Sequence, residues 1–156
     1  MQERMREFLD DRAVTYSISF HKPAYTATQA AAFNHTPARR MAKTVVFVAD
    51  GDYFAALLPA DMRVDCQRLT ELLRAGHVRL ASEEEIQSIF PGSEPGGLPP
   101  FTNIYGLPVF IDEHLVNSPT IAVNGGSAAE AIELHSSDLI RLSDGVVTRF
   151  AQPCVP

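Results

Sequence analysis

Cysteine is scarce in this chain of 156 residues, which has only Cys66 and Cys154. They fit no CxxC pattern, so no disulfide framework is indicated and free thiols in a reducing compartment are expected. Long apolar runs are also lacking. No stretch approaches the roughly 18–20 residues of a membrane-spanning helix, and the N-terminal MQERMREFLDDR is too charged for a secretory signal, so a cytoplasmic location is expected. Positive charge is in short supply: 13 Lys and Arg stand against 19 Asp and Glu, a formal net charge of −6. That balance argues against a broad, non-specific nucleic-acid binder, because phosphate neutralisation dominates such affinity. It leaves room for a protein that grips only the end of an RNA through a small basic patch. His21, His35, His77, His114 and His135 are scattered without metal-ligand spacing, and no Cys/His set supports zinc. A G-x-S-x-G elbow is absent. Neither a metal nor another cofactor is expected.

What is present fits one soluble domain over residues 1–156, with 46% hydrophobic and 21% charged residues and enough chain to bury a core unaided. The periodicity predicts an amphipathic helix over Met1–Ala13, with Met5, Phe8 and Leu9 inward. Val14, Tyr16, Ile18 and Phe20 alternate with polar residues, predicting a half-buried strand. Thr26 and Gln29 form a T-x-x-Q capping box ahead of a helix over Ala27–Phe33. The β-branched run Thr44–Ala49 predicts a buried strand, turned by Asp50-Gly51-Asp52 into a second, Tyr53–Leu58. Asp65 caps a helix to about Ala75, with Gly76 as terminator. Ser82 and Glu85 box the start of another, which Pro91 stops near Phe90. Strands are expected over Leu107–Ile111, Thr120–Val123 and Val146–Phe150. The mixed order, with at least one hairpin, predicts an α+β or mixed α/β fold.

The most informative segment is Pro91–Pro100, with four prolines and three glycines. It can be neither a helix nor a central strand. Gly96 and Gly97 allow close approach to the backbone, and their N–H groups could converge on one oxygen as an oxyanion hole does. Pro99 and Pro100 would stiffen them. By composition alone a rigid surface turn is the commoner account. Lys43, just before the apolar strand, could present its ammonium at a pocket mouth or simply snorkel from the strand end. Arg39, Arg40 and Lys43 form a compact basic cluster able to receive a few phosphates, or a solvated loop. Asp112 closes an apolar strand and reads first as a structural cap.

Several segments in order resemble the YbaK/EbsC-type family, free-standing relatives of the editing (INS) domain of bacterial prolyl-tRNA synthetases. They are His21-Lys22-Pro23-Ala24-Tyr25-Thr26, Ala42-Lys43-Thr44-Val45-Val46, Arg79-Leu80-Ala81 with Glu84-Glu85, Pro91–Asp112 with its Gly96-x-x-x-Pro100 core, and Asn124-Gly125-Gly126-Ser127. Each piece is weak alone; their ordered co-occurrence over roughly residues 15–150 carries the resemblance. It implies a strongly curved, barrel-like mixed β-sheet flanked by helices. It also implies a strand at Ala131–Leu134, despite the helix propensity of AAEAIEL, and a short helix near Asp138–Leu142.

The activity it implies is hydrolysis of mischarged aminoacyl-tRNA in trans, with aminoacyl-tRNA as partner and an aminoacyl-tRNA synthetase as a further one. By resemblance Lys43 matches the functional lysine and Gly96–Pro100, with Leu98, the substrate loop. The expected pocket also takes in His21, Thr26, Phe101, Thr102, Asn103, Asp112, Asn124, Gly125, Gly126 and Ser127, with Arg39 and Arg40 toward RNA. Relatives often carry glycine after Pro-Phe, where this chain has Thr102-Asn103, and Asn-Ala-Gly where it has Asn124-Gly125-Gly126. Those departures bear on which amino acid is accepted. They also motivate an alternative, a non-catalytic module that binds an aminoacylated RNA end or an amino-acid-like ligand.

Overall fold

The run TVVFVA lies in the middle of the main sheet, because β-branched and aromatic side chains fit a pleated surface buried on both faces. The computed structural model describes residues 3–93 and 97–154. In chain order these form α1 (Glu3–Asp11), β1 (Tyr16–Phe20), α2 (Ala27–Phe33), β2 (Ala42–Ala49), β3 (Asp52–Pro59), β4 (Met62–Val64), α3 (Cys66–Leu73), β5 (Val78–Leu80) and α4 (Glu83–Ile89). Then come β6 (Val109–Asp112), β7 (Thr120–Asn124), β8 (Glu130–His135), α5 (Ser136–Ser143), β9 (Val146–Thr148) and β10 (Ala151–Pro153). Three-residue 3-10 turns occur at Ala38–Arg40 and Leu115–Asn117, and a four-residue one at Thr102–Tyr105.

β2 and β3 pair antiparallel from Ala42 opposite Pro59 to Ala49 opposite Asp52. Asp50 and Gly51 between them both have positive φ, 49° and 89°, the conformation an Asp-Gly hairpin turn requires. β5 joins the outer side of β2, while β6 and β9 extend β3 in parallel, giving the order β5-β2-β3-β6-β9. A second sheet runs β1-β8-β7, all antiparallel, and β4 pairs with β10 as a ribbon.

The expectation of one strongly curved, barrel-like sheet is corrected here: the described strands form three open sheets. Among the described residues, the ladder contact between the two larger sheets is a single parallel bridge, Met41 with Ala122. The cause is local. The chain reaches β2 from the 3-10 turn Ala38–Arg40, so Met41 alone runs extended beside β7. Arg40 Nε donates to Thr120 O at 3.3 Å, which occupies a carbonyl a longer ladder would need.

The core lies on both faces of the main sheet. Met5, Phe8 and Leu9 of α1 pack with Leu57, Ile111, Ile121, Ile132 and Leu139 on one side. Phe47, Leu58, Leu69, Val78 and Phe150 fill the other. Glu130–His135 is a strand because it is hydrogen-bonded on both edges, to β1 and to β7; that pairing outweighs its helix propensity.

Three local expectations shift. β1 is an edge strand, and Ile18 and Phe20 are exposed rather than half-buried. α3 ends at Arg74, which takes the left-handed conformation (φ 51°); Gly76 instead gives its N–H to the Asp50 carboxylate. The predicted last strand divides into β9 and β10, with Phe150 buried between them. Among the described residues, no helix is long and apolar enough to cross a membrane.

Candidate functional site

Lys43 sits near the start of β2, where the strand leaves the 3-10 turn and faces α2. Its side chain is half-buried, and Nζ donates to Ala60 O at 3.3 Å. Burial holds its pKa below the ordinary lysine value, with Cys154 and Asp61 acting in the opposite direction. Loss of hydration disfavours the ammonium, and one long carbonyl contact compensates little of it. Lys43 forms part of the wall of a cavity of about 300 Å³. Ala42 and Thr44 line it from the same strand and Met41 from just before it, Tyr25, Thr26, Ala27 and Ala30 from α2 and its cap, Leu98 from the proline/glycine loop, and Asn124 from the end of β7.

Each wall is held by its own local chemistry. Thr26 caps α2, accepting from Gln29 N at 3.1 Å, and Gln29 Oε1 in return accepts from Tyr25 N at 3.1 Å. The reciprocal half of the capping box thus falls one residue earlier than the motif predicts, and it fixes the backbone at Tyr25. α2 can approach β2 and β7 closely because Ala30, Ala31, Met41, Ala122 and Ala131 pack together, four of them only a methyl thick. The loop is tied down where it crosses the cavity: Thr44 Oγ1 donates to Pro99 O at 3.1 Å. Gly97, Pro99 and Pro100 are buried, and Phe101 is fully buried against Phe8, with ring centroids 5.2 Å apart. At the far wall Asn124 Oδ1 accepts from Gly126 N at 2.6 Å and Nδ2 donates to Ser127 O at 3.1 Å. Gly126 needs its glycine for φ 96°. Gly125 needs its own for space, since a Cβ there would stand 2.9 Å from Glu130 Cβ. Ser127 Oγ lies 3.3 Å from both Glu130 Oε1 and Ala129 N, closing the turn.

Thr26, Lys43, Leu98 and Asn124 are therefore brought to one cavity, flanked by Gly97, Pro99 and Pro100 on one side and Gly125, Gly126 and Ser127 on the other. Gly96 lies outside the described residues. Other nominated residues are elsewhere. Thr102 is fully buried under the loop, and Asn103 Nδ2 donates to Leu142 O at 3.0 Å beside a different cleft. Of the two residues that distinguish this chain after Pro-Phe, Asn103 thus ties the turn to α5 and Thr102 bonds locally to Leu107 O; neither lines the cavity. Asp112 is fully buried; it accepts from Phe150 N, Ala151 N, His114 N and His114 Nδ1 at 2.7–3.0 Å. His21 keeps Nδ1 2.7 Å from Lys22 O, and its buried Nε2 has no hydrogen-bond partner among the described residues. Arg40 is turned onto Thr120 through the carbonyl and Oγ1, leaving Arg39 as the exposed member of the pair.

Residues that sequence reading passed over are Tyr25, Ala27, Ala30, Met41, Ala42 and Thr44. The signal for Ala27 and Ala30 was their i, i+3 spacing on a capped helix. Thr44 was visible as part of an apolar run and of the segment around Lys43, with no sign that it would face the cavity. Among the described residues, no group of three His, Cys, Asp or Glu is placed to hold a metal ion.

The fold is a mixed α/β one whose small, largely apolar cavity carries one half-buried lysine on its wall, the features of a candidate ligand site. Comparison with known proteins makes this specific. Residues 21–142 match the aminoacyl-tRNA editing domain, so this chain belongs to that family, the YbaK-type relatives of the prolyl-tRNA ligase editing domain. Curated relatives include the proline–tRNA ligase of Heliobacterium modesticaldum, 32% identical over 117 residues, or 72% of this chain and 20% of the ligase. That of Nitratidesulfovibrio vulgaris strain Hildenborough is 29% identical over 129 residues, or 82% of this chain and 21% of the ligase. The chain thus spans about a fifth of the length of these ligases. Among solved structures, a candidate trans-editing enzyme for prolyl tRNA synthetase superimposes with TM-score 0.80 at 25% identity, covering 96% of this chain and 95% of that one. Hypothetical protein APE2540 superimposes with TM-score 0.86 at 24% identity, covering 96% and 100%, and supports the fold.

Proposed function

We propose that this chain hydrolyses the ester bond of mischarged aminoacyl-tRNA in trans, without a metal ion, as a step of translation quality control in the cytoplasm. The observation that carries the reading is the placement of Lys43, an under-partnered ammonium on the wall of a small cavity whose other walls are mostly methyl-sized or aliphatic. A cavity of about 300 Å³ is at the small end of ligand pockets. It suits an aminoacyl group with the RNA left outside.

An aminoacyl ester is already activated and needs no strong protein nucleophile. Water adds to the ester carbonyl, negative charge grows on the carbonyl oxygen, and collapse expels the ribose oxygen to leave free amino acid and uncharged tRNA. Lys43 supplies positive charge, either to the terminal adenosine phosphate or to the ester carbonyl. The N–H groups of Gly96 and Gly97 are the donors proposed for the developing oxyanion. Thr44, by holding Pro99, keeps that loop in register with Lys43. Arg39 takes an RNA phosphate beyond the mouth, and a synthetase is the source of the mischarged tRNA.

The test is release of amino acid from tRNAs charged with alanine, serine, cysteine, threonine and proline. Release from at least one of them is the expected result. No release above background from any of them, with folded protein, would sink the reading.

A further inference from the structure

Tyr25 lines the cavity and is nevertheless 65% exposed. Its backbone is fixed from both sides, by the bond from its own N–H to Gln29 Oε1 and by the Thr26 cap of α2. Among the described residues its ring meets no aromatic or cationic group and its hydroxyl has no hydrogen-bond partner. A lone exposed aromatic is ordinary surface in general. This one stands on a rigid backbone at the rim of the candidate site.

We propose that the Tyr25 ring is the stacking platform for the unpaired terminal base of the RNA whose aminoacyl group enters the cavity. The inference rests on the reading of the site given above. In an aminoacyl-tRNA the ester links the amino acid to the terminal ribose. With the aminoacyl group inside, the ribose and its base are the first groups outside the mouth, and a ring on the rim is within one nucleotide of the ester. Charge balance points the same way. A chain with a net charge of −6 gains little from general phosphate attraction. Base–aromatic stacking adds affinity that needs no charge and tolerates any base. Tyr25 is thus a binding residue for the RNA end, separate from the groups proposed to act on the ester.

The experiment uses an acceptor-stem RNA hairpin that ends in 2-aminopurine and carries a non-hydrolysable 3′-aminoacylamide, alongside deacylation of a charged tRNA that the wild type accepts. Quenching of the 2-aminopurine on binding is expected with wild type and with Tyr25→Phe. Tyr25→Ala is expected to lose the quenching, to weaken Kd about tenfold and to raise KM about tenfold, with kcat within about twofold. Leu80→Ser serves as the control, because Leu80 is 52% exposed on edge strand β5, at the opposite end of β2 from Lys43. It should change none of these readouts. Deacylation without quenching, or Tyr25→Ala with unchanged KM and quenching, would overturn the platform while leaving the hydrolytic reading in place. Tyr25-dependent quenching with no release from any charged tRNA would keep the platform and overturn hydrolysis. Neither quenching nor release would overturn both.

Discussion

Lys43 and Asp112 are both ionisable residues in or beside apolar strands of the same sheet, and they are solvated by the protein in opposite ways. Asp112 has no exposure, and its two carboxylate oxygens accept four N–H donors from Phe150, Ala151 and His114. Lys43 is half-buried with one carbonyl at 3.3 Å and a pKa pushed down by its burial. A buried charge whose bonding capacity is filled is part of the scaffold. A partly buried charge left short of partners beside a cavity is the kind a ligand can complete. The first joins β6 to the chain that follows β9, and the second faces the place where a substrate can sit.

The comparison breaks most visibly at the carboxylate. Asp112→Ala leaves the buried Phe150 N–H and three part-buried donors without their acceptor and is expected to cost roughly 3 kcal/mol of stability, read as a shift in the denaturant midpoint. A loss below about 1 kcal/mol would mean that the carboxylate is not the scaffold element its bonds suggest. Gly125→Ala comes next. Its new methyl meets Glu130 Cβ at 2.9 Å, and overpacking of this kind costs about 1–3 kcal/mol. The turn after Asn124 should distort, and the loss of stability should come with a rise in KM.

Thr44→Val sharpens the other side. It removes the bond to Pro99 O, costs about 1 kcal/mol in stability, and should lower kcat more than it raises KM, since valine keeps the shape that Thr44 gives the cavity wall and only the tie to the loop is lost. An unchanged kcat would separate the loop from the chemistry.

The smallest effect is on pH dependence. If the ammonium of Lys43 is the working form, kcat/KM, corrected for spontaneous ester hydrolysis, falls as pH rises through a value below the ordinary 10.5. That limb reports the free enzyme. Lys43→Arg, which stays charged, should move it upward. A limb in the same place in both proteins would assign it to another group.

How much of this was legible in the sequence depended on the range of the forces involved. The capping signals of Thr26, Asp65 and Ser82, the Asp50-Gly51 turn and the apolar run of β2 are local, and they placed α2, α3, α4 and the hairpin. Sheet closure was not legible, because it depends on whether β2 and β7 build a ladder, and that is decided by a 3-10 turn at Ala38–Arg40 with no strong sequence mark. Exposure of Ile18 and Phe20 escaped the alternation rule for a similar reason: period two says that two faces differ, not that one of them is covered. At the site, Lys43, Leu98 and Asn124 could be nominated because they belong to motifs. Ala27, Ala30 and Met41 could not, since small and apolar residues at those spacings look like core. Thr102 and Asn103 were placed at the pocket by adjacency to the loop, whereas the turn after Phe101 carries them inward to Leu107 and Leu142.

The central claim is that the under-partnered ammonium of Lys43, and not a saturated group such as Asp112, does the work at this cavity. The most direct measurement is the initial rate of amino-acid release by wild type and Lys43→Ala, side by side, on whichever charged tRNA of the panel the wild type accepts. The account predicts a drop of about 100-fold, the scale of losing one charge-stabilising group, with the denaturant midpoint of Lys43→Ala close to that of wild type. An unchanged rate in the folded variant would contradict it.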